Sequence, residues 1–166
     1  MRKKEDLSKL KKLGSQSTAY EYTYNKEILE RFENNYPNND YMVTLDAYEF
    51  TTLCPKTGQP DFAKLYINYV PDEYLVESKS IKLYLFSYRN NGDFHEDCIN
   101  KILGDLVELL NPKYIEVLGI FSPRGGIAIY PFASYAKIGG GYEDMKKQRQ
   151  FDALNVILAN KRNYNN

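Results

Sequence analysis

Apolar and polar residues alternate along this chain with two different periods. YMVTLDAYEFTTL (41–53) carries Val43, Leu45 and Ala47 in alternation. FAKLYINYV (62–70) sets Ala63, Leu65, Ile67 and Tyr69 on one face and Lys64, Tyr66 and Asn68 on the other. A period of two is that of a pleated strand with one face covered, and the turn-rich CPKTGQPD between the runs predicts an antiparallel pair. The period then lengthens. In SKSIKLYLFSYRN (78–90), Ile81, Tyr84, Leu85 and Tyr88 fall at i, i+3, i+4 and i+7, which is one face of a helix. NGDFHEDCINKILGDLVELLNP (91–112) predicts a longer helix with Cys98, Ile102, Leu106, Leu109 and Leu110 on its apolar stripe, Asp93 as N-cap and Pro112 as stop. YIEVLGIF (114–121) and GIAIYPF (126–132) read as two more strands joined through SPRGG, and GYEDMKKQRQFDALNVILANK predicts a terminal helix.

The resulting order, β-β-α-α-β-β, is an α+β class arrangement: an antiparallel sheet with both helices on one face. Such a sheet leaves its other face and two edges without company, and closing several copies into a barrel would cover both. A homo-oligomer is therefore predicted. At 166 residues the chain has the length of a single domain, 1–166. Residues 1–40, with a short amphipathic stretch at Lys26–Phe32 and a break at NNYPNND, read as a peripheral arm on the surface or on a neighbour. Residues 143–166 form the terminal helix and a frayed tail.

Composition narrows the function classes. Twenty-two basic and 22 acidic residues give no global field toward nucleic acid or membrane, so an anionic ligand must be held by local charges. No apolar run approaches the length of a membrane span, and the charged N-terminus lacks the apolar core of a signal peptide. Two cysteines do not make a disulfide scaffold, which points to a reduced, cytoplasmic protein. A single His and two separated Cys give little to build a zinc cluster, and neither a P-loop nor a G-x-G-x-x-G after a strand is present.

Four places could carry chemistry. Cys54 is either a small hydrophobe at a strand end or a nucleophile displayed by a loop of Pro55, Gly58 and Pro60; a nucleophilic thiol needs a depressed pKa and hence a cationic or hydrogen-bonding neighbour. Asp61 is an ordinary turn residue after Pro60, or an acid brought beside that thiol by loop closure. His95 and Glu96 open the long helix, where Glu96 either completes a capping box with Asp93 or accepts two N–H bonds from a guanine-like edge. VESKSIK (76–82) is either a helix cap with a solvated basic face or an anion site at a helix N-terminus. Cys98, on the apolar stripe, reads as core.

Three segments, CPKTGQPDF, VESKSIKLYLFSYRN and GDFHEDC, in this order and spacing, resemble the 7-cyano-7-deazaguanine reductases, the nitrile reductases of queuosine biosynthesis. E-S-K-S-x-K-x-Y (Glu77–Tyr84) is the distinguishing motif of that family, and PKYIEV (112–117) and SPRGG (122–126) add to the likeness, which runs from about Tyr20 to Tyr142 in the short, single-module form. The resemblance implies the tunnelling fold, whose β-β-α-α-β-β subunits close into stacked barrel rings with active sites between subunits. It implies reduction of the nitrile of 7-cyano-7-deazaguanine to an aminomethyl group by two NADPH, in the cytoplasm, with no direct contact to nucleic acid or membrane. Position by position, it makes Cys54 the nucleophile that forms a thioimidate and Asp61 the proton donor. It places Val76, Glu77 and Ser78 with His95 and Glu96 around the substrate, His95 also belonging to the catalytic group. Lys79, Lys82 and Arg124 become the candidates for the NADPH phosphates.

Two rival readings follow from the same residues. Another tunnelling-fold purine or pterin enzyme, such as a cyclohydrolase, would keep the base-holding Glu but needs zinc ligands. A non-catalytic purine-binding ring would bind the same base and never form a covalent adduct.

Overall fold

The computed structural model describes residues 20–163; residues 1–19, the first part of the predicted arm, and the last three of the predicted tail lie outside the described residues. A four-stranded antiparallel sheet carries the fold. Its strands are β2 (Val43–Leu53), β3 (Pro60–Val70), β5 (Tyr114–Phe121) and β6 (Phe132–Ala136), in the spatial order β2-β3-β5-β6. A small second sheet pairs β1 (Arg31–Glu33) with β4 (Tyr74–Val76). Three α-helices are found among the described residues: α1 (Ser78–Phe86), α2 (His95–Leu110) and α3 (Glu143–Asn163). No described helix is long and apolar enough to cross a membrane.

The two-residue period decides which side of the sheet is covered. Leu65, Ile67 and Tyr69 of β3 and Ile115, Val117 and Phe121 of β5 point to one face and are essentially inaccessible. Against them pack Cys98, Ile99, Ile102, Leu106 and Leu110, which recur at helical spacing along α2. Leu109 is only partly buried, whereas Ile99 is fully buried. Each such side chain contributes roughly 1.5–3 kcal/mol by leaving water, so this layer is the main source of stability. In β2 the alternation is interrupted: the register shifts between Ala47 and Phe50, a bulge that puts Phe50 and Thr52 on the covered face where an unbroken alternation would put Glu49 and Thr51.

Gly119 lets α2 approach β5. A Cβ there would sit 2.8 Å from Ile99 Cδ1 and 2.8 Å from Phe121 Cε2, both already in the core. The helix ends at Leu110, where Asn111 adopts the left-handed conformation at φ 43° and Pro112 follows.

Several elements depart from the sequence reading. Lys26–Phe32 is not a helix on an arm: Lys26–Ile28 form a single tight turn, Arg31–Glu33 form β1, and Ile28 and Leu29 are buried in the core. The reason is tertiary, since β1 exists only by pairing with β4. The last strand lies at Phe132–Ala136 rather than 126–132. Pro131 has no N–H to donate, so residues before it meet β5 only through isolated bonds such as Gly119 N–H to Pro131 O, 3.0 Å. Asp93 does not cap α2. The N-cap is Phe94, without a side-chain hydrogen bond, and the Asp93 carboxylate instead accepts from Asn91 at 2.6 Å and pairs with Lys101.

The first two helices share the covered face, but the terminal helix goes to the other. Val70, Tyr114 and Ala136 point away from the main core and pack with Tyr142 and Met145. Glu116, 2% exposed, accepts from Asn68 (2.8 Å), Tyr114 (2.6 Å) and the Arg149 guanidinium (2.5 and 3.0 Å). Burial alone would raise its pKa, but these bonds outweigh it and hold the carboxyl below the ordinary range.

Replacing Gly119 with Ala should destabilise the protein by about 1–3 kcal/mol in urea unfolding, because rigid ring and helix must separate to admit one methyl. An unchanged midpoint would show that the α2–β5 contact is looser than described.

Candidate active site

The β2–β3 hairpin places two chemically active side chains at the end of the core. Thr52 pairs with Asp61 across the ladder, and Cys54 follows two residues after Thr52. Phe50, Thr52 and Cys54 thus continue one inward-facing row, and Asp61 continues the row of Ala63, Leu65 and Ile67. The turn between them is closed by Cys54 N–H to Gln59 O (2.8 Å) and Gly58 N–H to Cys54 O (2.9 Å), with Gly58 at φ 67°.

The start of α2 is brought to the same end. Thr52 Oγ1 donates to Asn91 O at 2.6 Å and Leu53 N–H to the same oxygen at 2.9 Å. Gly92 lies against Pro55 so closely that a Cβ would stand 3.3 Å from Pro55 Cα. His95, the first residue of α2, then stacks on Phe121 with ring centroids 4.0 Å apart and planes 13° from parallel. Its Nε2 is 3.2 Å from Asp61 Oδ2.

Arg124 reaches in from the β5–β6 connection. Its backbone bridges to Ile127 in both directions (2.9 and 3.0 Å), closing a two-residue Gly125–Gly126 turn with both φ values positive, 56° and 80°. The guanidinium donates from Nη2 to Asp61 Oδ2 at 3.2 Å, and its Nε makes an ion-pair contact with Oδ1 at 2.9 Å. Asp61 is only 4% exposed, and this pairing with a cation explains how a carboxylate occupies the core face.

These groups surround one pocket of about 310 Å³ lined by Cys54, Asp61, His95, Glu96 and Arg124, with Phe94, Ile127 and Ile129 as apolar walls. Cys54 is half-buried, and its thiol lies below its ordinary pKa. The largest cause is a hydrogen bond from the Thr57 hydroxyl, followed by the backbone N–H groups of Lys56 and Thr57, with the Arg124 charge adding to them. Cys98 is the opposite case. Burial pushes its thiol up to about 12, and its Sγ is 3.8 Å from Thr52 Oγ1, so it is a core residue. Glu96 is exposed on the rim, and its carboxylate has no hydrogen-bond or ion-pair partner among the described residues.

The E-S-K-S segment goes elsewhere. Val76 is buried in β4, and Glu77 caps α1: Oε1 accepts from Lys79 N–H (2.9 Å) and Oε2 from Ser80 N–H (2.7 Å). Ser78 and Lys82 are exposed and line a second groove of about 550 Å³ between β2 and α1, with Arg89 at its end. Lys79 and Lys82 have no ion-pair partner among the described residues. Within this chain, then, Cys54, Asp61, His95, Glu96 and Arg124 are brought together, and Val76, Glu77, Ser78, Lys79 and Lys82 are not. Thr57 was missed by sequence reasoning, although a hydroxyl three residues after a cysteine in a Gly-containing turn is a readable signal. Phe121, which orients His95, carries no local signal.

The antiparallel sheet with its thiol and carboxyl at one rim is a QueF-like module. Residues 60–139 match the family model of that description, QueF-like protein. A solved structure of the archaeosine synthase QueF-Like in the apo form has the same fold, with a TM-score of 0.54 at 22% identity over 58% of this chain and 94% of that one. The curated relatives are nearer. An NADPH-dependent 7-cyano-7-deazaguanine reductase of Bacillus cytotoxicus is 57% identical over 148 residues, 89% of this chain and 90% of the relative. The reductase of the same name from Alkaliphilus metalliredigens is 58% identical over 159 residues, 95% and 96% of the two chains. The chain belongs to the family of NADPH-dependent 7-cyano-7-deazaguanine reductases.

Alkylation with iodoacetamide should modify Cys54 and spare Cys98 in the folded protein, with a pH midpoint for Cys54 below the ordinary thiol value of about 8.5. Thr57→Val should move that midpoint upward. A midpoint at or above 8.5 in the wild type would remove the account of an activated thiol.

Proposed function

We propose that this chain reduces the nitrile of 7-cyano-7-deazaguanine to 7-aminomethyl-7-deazaguanine in queuosine biosynthesis, by way of a thioimidate on Cys54. The observation that carries this reading is relatives of 57–58% identity, named for that reductase activity, combined with Cys54 and Asp61 at one pocket.

The roles follow from what each group can do. The Cys54 sulfur attacks the nitrile carbon: a C–S bond forms, one C–N π bond breaks, and its electron pair goes to nitrogen. Asp61 delivers the proton that nitrogen takes up, and the thiol proton restores the acid, so no net proton is needed. His95, stacked on Phe121 with its Nε2 3.2 Å from Asp61 Oδ2, keeps that carboxyl aimed into the pocket. Glu96, unpartnered at the rim, accepts from the N1–H and 2-amino groups of the base, two donors that one carboxylate can span. Phe94, Ile127 and Ile129, exposed in the free chain, would shed water only when substrate covers them, which matters because a free imine hydrolyses.

NADPH, when bound, supplies the two hydrides. Lys79 and Lys82 fit its phosphates, being cations in the first turns of α1 without ion-pair partners among the described residues, Lys82 lining a groove. Arg124 adds a third cation at the pocket itself.

The α1 segment completes the site from a neighbouring subunit in this reading. Val76, Glu77 and Ser78 do not reach the Cys54 pocket of their own subunit, and β2 and β6 leave the sheet with two edges. A tunnelling-fold ring, closed edge to edge in the cytoplasm, answers both facts.

Mixing the protein with 7-cyano-7-deazaguanine without NADPH should give a covalent adduct by intact-mass spectrometry, absent in Cys54→Ala. Asp61→Asn should form it roughly 10²–10⁴-fold more slowly. Glu96→Ala should weaken substrate binding about 10- to 100-fold, the loss of hydrogen bonds to a charged acceptor. An adduct that survives Cys54→Ala would overturn the mechanism, and an unchanged dissociation constant would leave Glu96 without its role.

A further inference from the structure

The turn that follows Cys54 holds its sulfur from behind. Cys54 O accepts from Gly58 N–H at 2.9 Å, which folds Pro55–Thr57 back over the cysteine, and Gly58 supplies the positive φ that ends the turn. Pro55 has no N–H, so the first free donors of the turn are those of Lys56 and Thr57, and both reach the sulfur. The Thr57 oxygen accepts from Gln59 N–H at 3.3 Å, which leaves its own hydrogen for the sulfur. The pocket wall at this point is Cys54 and Pro55, so these donors approach from the side away from a bound substrate. They need not be displaced when a C–S bond forms.

Such donors act on both directions of sulfur chemistry. Stabilising a thiolate raises its population but blunts its attack, with a sensitivity of about 0.4–0.5, so much of the benefit to bond formation is cancelled. Departure of the same sulfur is helped outright, because a more acidic thiol leaves faster.

We propose that Thr57 is a catalytic residue of the second half of the reaction: its hydroxyl, with the N–H groups of Lys56 and Thr57, receives the sulfur as it leaves the reduced adduct. The inference rests on the proposed thioimidate at Cys54 and deepens it.

Once the first hydride has been added, the carbon carries a hydrogen, an amino group and the Cys54 sulfur. The nitrogen lone pair then forms the C=N bond, the C–S bond breaks, and its electron pair goes to sulfur. The products are an iminium ion and a Cys54 thiolate, so charge balances and no further reactant is needed. A sulfur bonded to two carbons is a weak acceptor, so the donors are poorly used until the bond breaks. Negative charge then grows on the atom they face, and they stabilise the transition state more than the adduct before it.

The thioimidate formed without NADPH offers a C–S cleavage of the same kind in reverse, and iodoacetamide traps the sulfur that is released. The full-length protein is loaded with 7-cyano-7-deazaguanine, freed of excess, and chased with iodoacetamide. The pH is set above both thiol midpoints, so that wild type and Thr57→Val both attack as thiolates and share the same Asp61. Adduct formation in Thr57→Val should be as fast as in the wild type or faster. Release should be slower, by roughly threefold for a tenfold weaker thiol acid. A structural fault would instead slow both or hasten release. Quenching during one turnover with NADPH should catch more of the adduct that is two hydrogens heavier than the thioimidate in Thr57→Val. Thr57→Ser, which keeps the hydroxyl, should behave as the wild type, and resistance of Cys98 to alkylation checks that each variant is folded. Release from Thr57→Val as fast as from the wild type, equal amounts of the heavier adduct, or failure of Thr57→Ser to restore release overturns the inference. Absence of any adduct in the wild type would instead defeat the proposed role of Cys54.

Discussion

A buried carboxylate at the end of a strand is the constraint around which this molecule is arranged. Asp61 occupies the place where the inward-facing row of β3 would next require an apolar side chain, and it is 4% exposed. An unpaired charge there would cost several kcal/mol. Its partners arrive from two distant parts of the chain: Arg124 from the β5–β6 turn and His95 from the first residue of α2. The same three elements form the walls of the Cys54 pocket, so neutralising the carboxylate also assembles the site.

That assembly depends on short-range features of the fold. Pinning of Asn91 by Thr52 and Leu53, and the close approach of Gly92 to Pro55, bring the start of α2 to the hairpin. Gly119 sets the height of α2 above β5 and hence the stacking of His95 on Phe121. Cys54 sits just outside this packed layer, where turn N–H groups and a hydroxyl can reach its sulfur, while Cys98 sits inside it and is inert. Two thiols of one chain thus differ in reactivity because of their depth.

Much of this was legible in the sequence where one physical cause dominates. Period-two runs located β2 and β3, a helical stripe identified α2 and the buried Cys98, and the turn chemistry of SPRGG located the loop that carries Arg124. Legibility failed where distant contacts override local preference. Asp93 has the right chemistry for an N-cap but is drawn to Lys101, and Phe94 takes the cap position with no side chain to fill it. Residues 26–33 carry too few apolar positions to announce that Ile28 and Leu29 belong to the core, since β1 is defined by β4 more than forty residues later. Pro131 displaced the last strand because one missing N–H breaks a ladder. At the site, the motif residues separated into two groups: those at the hairpin and the α2 start converge, while the Glu77 carboxylate is already taken up by the N–H groups of its own helix.

A four-electron reduction of a nitrile is the chemistry we propose for the thiol–carboxyl pocket on this fold. Its most direct test is the loss of NADPH absorbance after a limiting amount of 7-cyano-7-deazaguanine is added to the folded protein with its thiols reduced, with NADH as the control donor. The account predicts two NADPH consumed per nitrile and no consumption in Cys54→Ala. No consumption by a folded wild-type protein, or consumption that persists without Cys54, would contradict it.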